Sequence, residues 1–181
     1  KKLHPGIDLK IISSNSNKIL DKLYNFQIDL GVIGKPFKEN FKSDLYHIPY
    51  LKQKIVIIAG KGNKFYNKQS IKLHELNGAN FINRENGSET RKVFEGSLNK
   101  ASVNVNTIME VSRTTMVQAV KENIGLGLIS EPEFDNYKDI KKIHIEDHDI
   151  FTQAYLVCLK KKKSDNLINA FIETAKKIIL E

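Results

Sequence analysis

Cysteine occurs once in the 181 residues, at Cys158, so neither an internal disulfide framework nor a cysteine-based zinc site can form. The residue sits in the apolar run Ala154 to Leu159, where it reads as a small buried hydrophobe, and a reducing compartment, the cytoplasm, is expected. No apolar stretch approaches the roughly 18 residues of a membrane span, and no signal-peptide pattern opens the chain. Arginine is equally scarce: only Arg84, Arg91 and Arg113 are present, and the other 26 basic residues are lysines. Arginine is the residue of bidentate phosphate and base contacts, whereas dispersed lysine solvates a surface. The net charge of +8 is therefore read as a lysine-rich surface rather than a nucleic-acid groove.

Catalytic signatures are missing too. No strand-turn-helix segment carries a Gly-x-Ser-x-Gly elbow, and no glycine-rich Lys-Ser/Thr phosphate loop occurs. Gly125-Leu126-Gly127 lies between a helix and a strand, the wrong side for a dinucleotide fingerprint, and Gly125 reads as a helix C-cap. His144 and His148 flank Glu146 and Asp147, but a strand-and-turn context does not build the helical spacing of a metal pair. Asn86-Gly87-Ser88 reads as turn chemistry, and Lys160 to Lys163 as a solvated strand end. The expectation is no catalytic residue, no metal and no cofactor.

What is present is a repeated alternation of strand and helix. The turn signal His4-Pro5-Gly6 precedes an apolar strand at Ile7 to Ile12, a polar loop, a helix over Ser16 to Asn25 and a strand over Ile28 to Ile33 bounded by Gly34 and Pro36. Parallel pairing is expected for this first β-α-β unit. Leu45 to Tyr50 and Ile55 to Ala59 read as two strands, and Ile71 to Leu76 as a helical turn. A second series follows: strand Phe81 to Ile82, helix Glu89 to Asn99, strand Val103 to Val111, helix Thr115 to Glu122 and strand Leu126 to Ser130. A short helix near Glu133 to Tyr137, strands Ile143 to Ile145 and Gln153 to Leu159, and the amphipathic helix Asp165 to Ile179 complete the chain. The pattern argues for an α/β fold with parallel sheets in which the chain crosses back to finish its first half, and no 20- to 50-residue repeat recurs.

Three helices begin straight after a strand with residues suited to an anion. The clusters are Ser13-Ser14-Asn15-Ser16-Asn17, Asn86-Gly87-Ser88-Glu89-Thr90 and Ser112-Arg113-Thr114-Thr115. Each puts a hydroxyl or amide at the N-cap and leaves the next backbone N–H groups and the helix dipole facing outward. In open parallel sheets such ends gather at the carboxyl edge, where ligands bind. One cap alone is ordinary structure. Three in succession, with Gly87 allowing close approach, can reach roughly 4 to 8 kcal/mol, the range of millimolar to micromolar binding.

Several segments also resemble one family in order along the chain. Ile82 to Leu98, INRENGSETRKVFEGSL, resembles the strand-turn-helix opening the second lobe of effector-binding domains in LysR-type transcription regulators, where an Arg-Glu-x-Gly-Ser-x-Thr-Arg pattern is common. EVSRTTMVQAVKENIGLGLIS from Glu110 to Ser130, FQIDLGVIG from Phe26 to Gly34 and HPGIDLKI from His4 to Ile11 are similar to further family segments. The resemblance implies two Rossmann-like lobes joined by two crossover strands, the type 2 periplasmic-binding-protein-like fold. It places lobe one at residues 1–58 plus 151–181 and lobe two at 59–150. It implies a small anionic or carboxylate effector in the inter-lobe cleft, with contacts from Ser14, Ser16, Ser88, Glu89, Thr90, Ser112 and Thr114. It also implies a homodimer through this domain, and DNA binding only through a winged helix-turn-helix which, with the family's first strand and helix, is expected before Lys1.

Two other classes fit parts of this pattern. An extracytoplasmic solute-binding protein of a transporter shares the fold and would carry an export signal ahead of Lys1. An enzyme on the scaffold, such as a deaminase or dehydratase, would need positioned acids, bases or a cofactor lysine in the cleft.

Overall fold

The computed structural model describes residues 5–34, 44–135 and 137–180. His4, Pro36 and Asn136, which enter the turn, strand-end and short-helix expectations, lie outside these. In chain order the elements are α1 (Ser16–Tyr24), β1 (Gly31–Ile33), β2 (Leu45–Gly60), β3 (Ser70–Ile71), β4 (Asn80–Arg84), α2 (Glu89–Lys100), β5 (Asn106–Val111), α3 (Arg113–Lys121), β6 (Gly127–Ser130), α4 (Glu131–Phe134), β7 (Ile140–Ile145), β8 (Phe151–Leu159) and α5 (Asn166–Leu180). Short 3-10 turns occupy Leu73–Leu76 and Lys160–Lys162.

Two long strands tie the molecule together. β2 runs 16 residues without a break, where the sequence suggests two strands. Pro49 lacks an N–H, and the ladder absorbs it as a register shift between Pro49 and Leu51 instead of ending there. Residues 45–54 of β2 pair antiparallel with β8, and β8 pairs antiparallel with β1. Beyond Lys54 the same strand enters a second set of neighbours: Ile55–Ile58 pair with β6 and Ile57–Gly60 with β7, both antiparallel. β2 and β8 are thus the two crossovers between the halves.

Burial follows from the two-residue period of a strand. Ile55, Ile57 and Ala59 point into a core with Phe81, Phe94, Leu126 and Ile143, while Val56 and Ile58 point into another with Met116, Val117, Val120 and Ile140. A strand covered on both faces must be apolar throughout, which accounts for the unbroken run Ile55 to Ala59. β8 repeats the arrangement in the other half. Leu156 and Cys158 pack against Ile168, Ile172 and Ala175 of α5, and Val157 against Ile19 and Leu23 of α1. Cys158 is fully buried, and burial pushes its thiol pKa up.

Several expectations need correction. Ile7 to Ile12 forms no strand: no described strand lies alongside to complete a ladder, and Ile11 is 89% exposed. The first unit is therefore not a parallel β-α-β. Its second strand shortens to Gly31–Ile33, because Phe26 turns left-handed at φ 56° and the Gln27 N–H closes onto the Lys22 carbonyl. The sheets are mixed rather than parallel, with parallel pairing at β4–β5, at β3–β7 and at the single bridge Phe81–Leu126. β5 starts at Asn106, after a left-handed turn at Ser102. The helix before β6 ends at Lys121 and is turned off by Asn123, left-handed at φ 56°, and not by Gly125. Gly125 instead lets the backbone approach the Asn80 carbonyl, which a Cβ would meet at 3.0 Å. Lys160–Lys163 is more than a solvated end: Lys161 lies 4.1 Å from the Phe26 ring centroid, Lys163 lies 4.3 Å from that of Tyr46, and Lys162 pairs with Asp29 at 2.6 Å.

Candidate functional site

The sheet-to-helix junctions converge on one cavity of about 270 Å³. Its floor is the pair of crossover strands, with Gln53 facing Thr152 across the ladder and Tyr50 and Ala154 beside them. One wall carries Ser14, Asn15 and Ser16 at the start of α1 together with Val32–Gly34; the opposite wall carries Arg84, Ser88, Glu89, Thr90, Arg113, Ser130 and Glu133.

Local chemistry sets each piece. Asn15 caps α1 by accepting the Lys18 N–H at 3.0 Å, and Ser16 Oγ accepts the Gly34 N–H at 3.1 Å, which ties the helix start to the end of β1. Gly87, at φ 91°, turns the chain between β4 and α2, and the Ser88 N–H closes that turn on the Glu85 carbonyl. Ser88 occupies the N-cap of α2, yet its hydroxyl makes no capping bond. Behind this loop Arg91 donates to the Arg84 carbonyl at 2.9 Å and to Glu110 at 2.6 Å, while Glu110 accepts the Asn86 N–H. These bonds hold the Glu110 carboxyl below its ordinary pKa, the Arg91 bond foremost.

Arg84, at the carboxyl end of β4, is only 7% exposed, and its Nε lies 3.4 Å from Glu85. Burial opposes ionisation of Glu85, but its own backbone N–H, Arg84 and Asn15 together hold its carboxyl below the usual range. Arg113 pairs with Glu133 at 3.0 Å across the same wall. Ser130, at the carboxyl end of β6, is 4% exposed, and its hydroxyl has no hydrogen-bond partner among the described residues. A buried unpaired hydroxyl costs on the order of 1–3 kcal/mol, so a polar group at this depth has a reason to be there.

Of the seven residues singled out in the sequence, Ser14, Ser16, Ser88, Glu89 and Thr90 line the cavity. Ser112 and Thr114 do not. The Ser112 hydroxyl is spent on the cap of α3, beside the Thr115 N–H and hydroxyl, and Thr114 is exposed. Arg113 lines the cavity in their place. Sequence reasoning missed Arg84, Ser130, Gln53 and Thr152. The available signal was a polar or charged residue closing an apolar strand run, Phe81-Ile82-Asn83-Arg84 and Leu126 to Ser130, at the edge where α/β sheets bind ligands.

With this geometry in place, comparison with known proteins is decisive. The model of the LysR substrate-binding domain matches residues 1–178. The chain belongs to that family. It is 24% identical over 185 residues to an uncharacterised HTH-type transcriptional regulator of Methanocaldococcus jannaschii, covering 98% of this chain and 61% of that protein. It is 30% identical over 128 residues to the HTH-type transcriptional activator CmpR of Synechocystis, covering 70% of this chain and 41% of that protein. The LysR domain described here therefore spans less than two thirds of the length of either relative. Among solved structures, the regulatory domain of CcmR from Synechocystis, in complex with 2-PG, superposes with a TM-score of 0.85 at 24% identity over 98% of this chain and 86% of that one. The likeness establishes the two-lobed, type 2 periplasmic-binding-protein-like fold. No described helix is long and apolar enough to cross a membrane.

Proposed function

We propose that this LysR domain is the ligand-sensing part of a DNA-binding transcription regulator, and that it holds a small anionic effector in the cavity between its halves. The observation that carries the proposal is the meeting of two helix N-termini, at Ser14–Ser16 and Ser88–Thr90, over a buried Arg84. Backbone N–H groups, helix dipoles and a guanidinium then surround one anion from several sides. Ser14, Ser16, Ser88 and Thr90 supply hydroxyls, Glu89 borders the site, and Ser112 and Thr114 act through the α3 start that positions Arg113.

The same proposal assigns residues 1–58 and 151–181 to lobe one and 59–150 to lobe two. Separate cores around α1 and α5 on one side and around α2 and α3 on the other support the division, except that Ile55 to Ile58 already pack in the second pair of cores, which moves that crossing to Lys54–Ile55. Catalysis is no part of the function, the protein is cytoplasmic, the domain pairs with a second copy, and DNA is contacted only through a helix-turn-helix ahead of Lys1.

A thermal-shift screen of small carboxylates and inorganic anions tests the sensing role. At least one should raise the melting temperature, and Thr90→Ala or Arg84→Met should weaken that rise. If no small anion moves the transition, the cavity is not an effector site. Reading the coding sequence ahead of Lys1 separates the regulator from a transport protein: a helix-turn-helix supports the first, an export signal the second.

A further inference from the structure

The charges around the cavity are nearly balanced, and that constrains what can enter. Arg84 and Arg113 are matched within the lining by Glu89 and Glu133, and Glu85 adds a third carboxylate 3.4 Å from Arg84 Nε. The side chains alone thus leave one negative charge in excess. The starts of α1, α2 and α3 each add about half a positive charge, which turns the balance slightly positive. A field of that size offsets at most one negative charge on a ligand and leaves a second one facing the lining carboxylates of Glu89 and Glu133.

The remaining lining is rich in neutral hydrogen-bonding groups. Nine uncharged polar side chains border the cavity, against the apolar Val32, Ile33 and Ala154. Ser130 is the most telling of them, since its hydroxyl is buried and unpaired among the described residues at the edge of the cavity. Desolvated polar groups favour a ligand that pairs them and penalise one that leaves them bare. The volume of about 270 Å³ has room for roughly nine water-sized groups, so the ligand is a small metabolite.

Resting on the sensing role proposed above, we infer that the effector is a singly charged polyhydroxylated acid, its anionic group between Arg84 and Ser130 and its hydroxyls on the neutral lining. Dicarboxylates and bare alkyl acids are poor ligands: the first carry one charge too many, and the second leave hydroxyls and amides unpaired.

Four compounds of one carbon count separate these terms by calorimetry on the protein: threonate, with one charge and hydroxyls; butyrate, with the charge alone; tartrate, with two charges and hydroxyls; and erythritol, with hydroxyls alone. Threonate should bind roughly tenfold or more tighter than the other three, one or two lost hydrogen bonds being enough for that factor. Ser130→Ala should lower threonate affinity by about the same factor without lowering the melting temperature of the unliganded protein, because it removes an unpaired group. Tartrate or butyrate binding as tightly as threonate overturns the inference while leaving the anion site intact. Unchanged threonate affinity in Ser130→Ala removes Ser130 from the site. If none of the four and no inorganic phosphate binds saturably, the sensing role itself falls, and this inference with it.

Discussion

Gly34 and Glu89 come together where the two halves face each other: a Cβ built on Gly34 would fall 2.5 Å from the Cβ of Glu89. The contact joins the end of β1 to the first residue of α2, and a neighbouring bond runs from the Asn15 side-chain amide to the Asn86 carbonyl at 3.4 Å. The starts of α1 and α2, two of the three that border the cavity, are held in register at this seam. Gly34→Ala should therefore force the halves apart. The expected cost is about 1–3 kcal/mol in denaturant unfolding, together with weaker anion binding, since two walls of the site move away from each other.

Arg84 is the buried cation of the site, and its loss should be felt in binding more than any single hydroxyl. Charge-assisted hydrogen bonds contribute about 1.5–3 kcal/mol. Arg84→Met should thus weaken anion binding by roughly one to two orders of magnitude, measured by calorimetry, and Arg84→Lys should restore only part of it.

The strand-helix order, the amphipathic helices and the three helix starts were legible because they rest on local rules. Val93, Phe94 and Leu98 recur on one face of α2, and Ser88 precedes it as an N-cap must. Strand direction was not legible. The run Ile55 to Ala59 is equally apolar in a parallel or an antiparallel sheet, and only tertiary pairing decided that β6 and β7 run against it. Ile7 to Ile12 failed for a related reason, since an apolar run becomes a strand only beside a partner. Arg84 and Ser130 were hidden because each closes a strand, and only the folded sheet brings both to one cavity. Ser112 misled because a hydroxyl in an N-cap position can serve the helix or a ligand, and here it serves α3.

The acid limb of the stability curve should depend on the carboxylates near the site. Glu85, Glu110 and Glu131 all have folded-state pKa values below their ordinary 4.5. A depressed carboxylate pKa gives stability that is present above the unfolded value and is lost as pH falls through the folded one. Melting temperature should accordingly hold from pH 7 to about 5 and drop below 4.5. Glu85→Gln should flatten part of that drop, and an unchanged acid limb would show that Glu85 does not contribute.

Phe81 and Phe94 are both fully buried, with ring centroids 5.3 Å apart in the core under β2. Phe94→Ala should destabilise by about 3–5 kcal/mol in urea unfolding. The loss should appear without any change in anion selectivity among molecules that remain folded.

Cys158 lies inside the core between β8 and α5, with its thiol held protonated by burial. Labelling by a thiol reagent under native conditions should be slow and limited by opening of the structure, then immediate in denaturant. Fast native labelling would show that the α5 face of β8 is open in solution.

The most direct check on the account is an amide NMR titration of the protein with threonate. Saturable shifts confined to the starts of α1 and α2, at Ser16, Ser88 and Thr90, and to Arg84 and Ser130 on the strand ends are the predicted result. Shifts spread over lysine-rich surfaces such as Lys160–Lys163, or movement that never saturates, would contradict it.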